Sequence, residues 1–247
     1  MTSLTSAPIT RPTSAPAAAG WDEPAGVAAR GTLVVLTGRG ESAAAYQRFG
    51  RRIAADAYRV RVVETDLDDL DATRDRVVAV LGAGDSPAPR VLAGADAGAA
   101  LAAVLAGELD GVDAVVLAGL AVADGPTAPL AWDDELEART FCPAHRRVLT
   151  EDPRFERGDL SRELPAAWSQ PAVPAVPTLV LHGSDDPVTS RDRVEQAYGA
   201  AVVSVEGGRH DVLNDVSHRS VAATIVLFLE RLRLGTDLPT IVRQVAP

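Results

Sequence analysis

A single cysteine, Cys142, excludes an internal disulfide framework in this chain of 247 residues. Long apolar runs are missing as well, so no segment is expected to span a bilayer. No dense Lys/Arg patch stands out, and a formal net charge of −10 gives little attraction to nucleic acid or anionic lipid. There is no zinc-type ligand cluster. Gly38-Arg39-Gly40 also lacks the third spaced glycine and the acidic partner of a dinucleotide-binding loop. The expectation is therefore no metal and no cofactor. Residues 1–20 have neither the basic start nor the continuous apolar core of a signal peptide. Their Thr, Ser, Pro and Ala are too weakly hydrophobic to pack, so residues 1–25 are expected as a disordered tail and the protein as cytoplasmic.

What is present is the composition of a globular domain: 47% hydrophobic and 23% charged residues, in a chain long enough for one large core. Apolar strand-like runs recur at Gly31–Gly38, Tyr58–Thr65, Arg90–Gly94 and Ala114–Leu117, with helical patterns near 43–57, 67–82 and from Ala97 onward. Strand centres that are apolar throughout, alternating with helices, predict a mostly parallel sheet covered on both faces. The alternation stops over 121–174, where Trp132, Trp168, Cys142, scattered prolines and many charges allow only short helices. That stretch is expected as a small cap over the carboxyl edge of the sheet, where open α/β folds bind ligands. Strand patterns return at Thr178–Gly183 and Ala201–Val205, and a last helix is expected over 217–233. The division is thus a tail (1–25), a first core part (26–120), the cap (121–174) and a second core part (175–247).

The chemistry centres on Gly94-Ala95-Asp96-Ala97-Gly98. A short apolar strand, a tight turn of small residues around one polar residue and an alanine-rich helix form the setting of a nucleophile elbow. Two more polar residues follow later strands, Asp186 in Ser184-Asp185-Asp186-Pro187-Val188 and His210 in Gly208-Arg209-His210-Asp211. Nucleophile, acid and histidine in that order fit a triad with His210 as base and Asp186 fixing its tautomer. The plainer alternatives are a helix N-cap for Asp96 and turn or loop roles for the other two.

These motifs, with Leu36-Thr37-Gly38-Arg39-Gly40-Glu41 and Tyr46, resemble the α/β-hydrolase superfamily, and within it the monoacylglycerol-lipase or lysophospholipase-like branch. The similarity covers about residues 28–233. It implies an α/β-hydrolase fold with a compact cap and a triad of Asp96, Asp186 and His210. It also implies an oxyanion hole from the backbone N–H groups of Arg39 and Ala97. Thr37 stands where the family usually has His, and Asp96 where this branch usually has Ser.

A carboxylate nucleophile suits attack at saturated carbon, in an epoxide or alkyl halide, with His210 then activating water against the ester formed on Asp96. Against an ester the same carboxylate would have to form an anhydride while expelling an alkoxide. Tyr46, Trp132, Trp168 and the Arg39 side chain are the candidate contacts to a small-molecule substrate. Two other readings stay open: an esterase whose Ser has been replaced, and a non-catalytic small-molecule-binding protein on the same fold. Arg39 itself faces solvent, pairs with Glu41, or turns inward onto Asp96. Cys142 and His145 are expected on the cap surface, His182 as a structural histidine and His218 at the start of the last helix.

Overall fold

A computed structural model describes residues 19–123 and 128–243. The sheet has seven strands: β1 (Ala19–Trp21), β2 (Gly31–Leu36), β3 (Tyr58–Val63), β4 (Arg90–Asp96), β5 (Ala114–Leu120), β6 (Thr178–Gly183) and β7 (Val202–Val205). Their order is β1-β3-β2-β4-β5-β6-β7, with β1 antiparallel to β3 and every other pair parallel. Strand β1 corrects the expectation of an unstructured stretch to residue 25, since Ala19, Gly20 and Trp21 pair with Val62, Arg61 and Val60. The remainder of the expected tail, residues 1–18, lies outside the described residues.

Both faces of the sheet are covered, which is why β2, β4 and β5 are apolar on both sides. Leu33, Val35, Val91 and Val116 face one core with α1 (Gln47–Ala55) and α7 (His218–Leu234). Val34, Leu36, Leu92 and Leu117 face the other with α2 (Leu70–Leu81), α3 (Ala97–Glu108) and α6 (Arg191–Tyr198). Helix α3 reads AGAALAAVLAGE and is buried over most of its surface, consistent with a sequence that has no polar face. Helix α1 is the opposite case, burying Phe49 and Ile53 while Arg51 and Arg52 stay exposed. Over 121–174 the described residues form α4 (Trp132–Arg139), α5 (Pro143–Glu151) and two short 3-10 turns. No described helix is long and apolar enough to cross a membrane.

This topology places Asp96 at the end of β4 and Asp186 just past β6. His210 lies in the loop after β7 and Arg39 just past β2. All four therefore converge on the carboxyl edge of the sheet. The approach of α3 to that edge depends on Gly98, where an added Cβ would sit 2.4 Å from the Leu36 carbonyl oxygen. Backbone cannot retreat as a flexible side chain can. Gly98→Ala is expected to lower stability by about 1–3 kcal/mol, the usual cost of overpacking, in urea unfolding monitored by circular dichroism. A midpoint equal to that of the unaltered protein would contradict the close approach.

Candidate active site

Asp96 occupies a sharp strand-to-helix turn with φ 52° and ψ −122°, backbone angles that a non-glycine residue seldom adopts. Its side chain makes no capping hydrogen bond to α3, so the plain N-cap reading fails. Instead the carboxylate is 3% exposed and points at the loop after β2.

There Arg39 turns inward. Its Nη2 donates to Asp96 Oδ1 at 2.7 Å, and its Nε donates to Oδ2 at 2.9 Å. The backbone N–H of Arg39 donates to the same Oδ2 at 2.8 Å. The guanidinium and the carboxylate thus meet edge to edge in a two-pronged pair, closed by a third donor from the same residue. The N–H expected to stabilise an oxyanion is occupied by the Asp96 side chain. The other donor expected there belongs to Ala97, which is buried and opens α3.

His210 closes the other side. Its Nε2 lies 3.1 Å from Asp96 Oδ1 and its Nδ1 lies 2.8 Å from Asp186 Oδ2. Each ring nitrogen faces a carboxylate oxygen, which can only accept, so both nitrogens must carry protons and the ring is an imidazolium. Burial alone would lower the pKa of His210. The Asp186 charge and hydrogen bond, joined by Asp96, outweigh it and raise the value to about 10. Burial likewise pushes Asp96 up, but Arg39 and His210 hold its carboxyl well below the usual carboxylate range. Two cations and two anions, Arg39 and His210 with Asp96 and Asp186, make a closed buried cluster of zero formal charge.

A second group of charges supports the first. Arg139, at the end of α4 and fully buried, donates to the Arg39 carbonyl at 2.7 Å. It also pairs with Glu135 at 2.9 Å and Glu41 at 3.1 Å. Glu41 is therefore a partner of Arg139, and the Arg39–Glu41 alternative does not form. The Arg39 Nη1 reaches the carbonyl of Arg162 at 2.9 Å, so the 121–174 segment grips Arg39 at both ends. Sequence reasoning missed Arg139. Its one signal was the four-residue spacing from Glu135, which reads equally as a solvated helix pair.

The other sequence candidates do not join this cluster. Tyr46 is fully buried; its hydroxyl accepts from the Gly38 N–H at 2.9 Å and donates to Glu41. Trp132 stacks obliquely on Phe155 at 5.3 Å, and Trp168 is buried in the core beside α3. Cys142 and His145, expected on a cap surface, are both buried, because His145 pairs with Asp211 at 2.6 Å and Arg48 contacts Cys142 at 3.3 Å. His182 bonds the Thr189 carbonyl at 2.9 Å from a fully buried position, as a structural histidine would. Thr37 is buried and its hydroxyl accepts from the Thr65 N–H. No group of three or more His, Cys, Asp or Glu able to hold a metal occurs among the described residues.

A cavity of about 740 Å³ opens on the outer side of this loop, lined by Arg39, Ala97, Arg76, Arg154, Arg162 and several acids. Asp96 and His210 do not line it. Arg39 is the member of the ion cluster that lines the cavity.

No protein-family model matches the chain, and a search of curated proteins finds no match. Solved structures do share its fold. The monoacylglycerol lipase of Paleococcus ferrophilus superposes with a TM-score of 0.64 at 16% identity, over 85% of this chain and 96% of the lipase. A soluble variant of the Saccharomyces cerevisiae monoglyceride lipase gives 0.64 at 14% identity, over 86% and 90%. The enol-lactonase of Burkholderia xenovorans gives 0.62 at 16%, over 86% and 95%. The chain has the α/β-hydrolase fold.

Two predictions follow from the ion cluster. The folded pKa of His210 is raised to about 10, against about 6.5 when unfolded, so its contribution to stability is complete below about pH 6.5. That contribution is lost as pH rises towards about 10. Denaturation midpoints should fall across that window, with a shallower fall in His210→Gln; identical slopes for the two proteins would contradict an imidazolium at this position. Replacing Arg39 by Met should cost about 3–5 kcal/mol in equilibrium unfolding, because it leaves a buried carboxylate without its main partner. A loss below about 1 kcal/mol would place the pair at an ordinary surface value instead.

Proposed function

We propose that this protein binds a small polar molecule and does not hydrolyse it. Its Asp96–His210–Asp186 constellation lies behind the site and holds Arg39, which lines the cavity. The observation that carries this reading is the three-point hold of Arg39 on the Asp96 carboxylate. A nucleophile needs a free lone pair aimed at substrate, and both carboxylate oxygens here are engaged by donors. A general base needs an unprotonated nitrogen, and while Asp96 is a carboxylate both nitrogens of His210 face carboxylates. The ligand would sit in the cavity beside Arg39, whose lining of four arginines and several carboxylates suits a molecule carrying polar or charged groups.

A second reading rests on the elbow geometry. Asp96 keeps the strained turn of a nucleophile, with His210 within hydrogen-bond reach. If ligand binding drew Arg39 out towards the cavity, Asp96 would be freed for alkyl-enzyme chemistry on an epoxide or haloalkane. An esterase with its Ser replaced by Asp would share this resting arrangement.

Rapid-quench intact-mass measurement separates these readings. The unaltered protein and His210→Gln would each be mixed with pooled epoxides, haloalkanes and activated esters. The expected result is no adduct and no turnover, together with a thermal shift by a polar ligand that is lost in Arg154→Ala. An adduct mapped to Asp96 would overturn the binding reading and establish covalent catalysis. Ester hydrolysis gained by Asp96→Ser would identify a replaced-serine esterase.

A further inference from the structure

A second recess, of about 560 Å³, lies between α1 and the start of α7 and holds none of the residues of the site above. Arg48, Arg51, Arg52, His218 and Arg219 line it, and Asp56 is its one acid. In a chain whose net charge is −10, four guanidinium groups against one carboxylate reverse the prevailing sign. Every one of the 24 basic residues is arginine, the side chain whose planar fork matches phosphate oxygens in pairs.

The arrangement is composite. Arg48, Arg51 and Arg52 stand at i, i+3 and i+4 on α1, so they share one helix face. Helix α7 packs against α1 and contributes His218 and Arg219 from its first turn. No carboxylate among the described residues lies within ion-pair distance of Arg48, Arg51, Arg52 or Arg219. Arg48 is half-buried and held in place by the Asn214 carbonyl and by Cys142 Sγ. Placing Arg219 in the first turn of α7 also sets a cation against the positive end of a 17-residue helix. Among the residues lining the recess Asp56 is the one carboxylate set against this charge, and an added anion would offset the rest.

We propose that this recess binds a compact phosphoanion, a diphosphate or triphosphate group, either free or carried by a nucleotide. A single carboxylate would leave most of the local positive charge unmatched. Helix α1 is only about 14 Å long, and a long polyanion extending past the recess would meet the acidic remainder of the protein. A short, multiply charged group fits both constraints. His218 supplies a local reporter: burial first, then Arg48, Arg219 and Arg52, hold its pKa below the usual histidine value, and a bound anion should raise it.

The test is titration calorimetry of the full chain with pyrophosphate, tripolyphosphate and ADP, with the His218 ring followed by NMR across pH. Arg51→Ala/Arg52→Ala and Arg219→Ala remove exposed side chains that make no hydrogen bond or ion pair among the described residues, so the fold is expected to persist. The expected result is saturable pyrophosphate binding that weakens at least about tenfold in both variants and an upward move of the His218 titration on binding. Added salt should weaken binding as well. ADP binding more tightly than pyrophosphate would support the nucleotide-borne form, and equal affinities the free form. Undiminished affinity in the variants, an unmoved His218 titration, or the absence of pyrophosphate binding would overturn the proposal. Binding confined to vesicles containing phosphatidylserine would overturn it in favour of a membrane surface.

Discussion

The carboxyl edge of this sheet depends on one ion pair, that between Arg39 and Asp96. The carboxylate of Asp96 is 3% exposed at the turn between β4 and α3, beside the His210 ring. Desolvating it there without a partner would cost several kcal/mol. Arg39 supplies that partner from the neighbouring loop, and the backbone N–H of the same residue adds a bond. Once Asp96 is anionic, His210 between it and Asp186 takes up a second proton. One carboxylate at one position thus sets the charge state of the whole constellation.

The same constraint explains the buried charges around it. An inward Arg39 leaves its carbonyl facing the protein interior, where Arg139 donates to it. A buried Arg139 in turn requires anions, which Glu41 and Glu135 provide. The 121–174 segment therefore meets the sheet edge through ionic contacts as well as apolar ones, with Leu136, Leu149 and Phe155 in one core and Leu164 and Trp168 in the other. The ionic contacts tolerate little truncation, because removing one member strands another. The Asp211 carboxylate, next to His210 in the chain, likewise has a buried partner, the His145 ring at 2.6 Å.

Charge is distributed unevenly over the outside as well. An acidic body carries the cavity beside Arg39, where arginines and carboxylates are mixed, and the recess at α1 and α7, where arginine prevails. The two places differ in what they can hold. Mixed charges satisfy one another through pairs such as Arg154–Glu64 and Arg162–Asp68 and leave a polar surface. Unmixed cations remain available to a mobile anion.

Much of this was legible along the chain. Unbroken apolar runs such as Thr32–Leu36 and Ala114–Leu120 specify strands buried on both faces, because only a parallel sheet covered by helices hides them. The glycines at 94 and 98 around Asp96 mark the elbow, and residues closing successive strands meet at one sheet edge whatever the loops do. Strand β1 escaped notice because three residues carry no periodicity. What the sequence could not decide was the direction of single side chains. Arg39 had three partners open to it, and the choice of Asp96 depends on Arg139 drawing Glu41 away from across the fold. The arginine recess needed the docking of α7 on α1, which joins residues some 170 positions apart. Periodicity along a chain records which face is buried, but ion pairing is decided by which charges tertiary packing brings within reach.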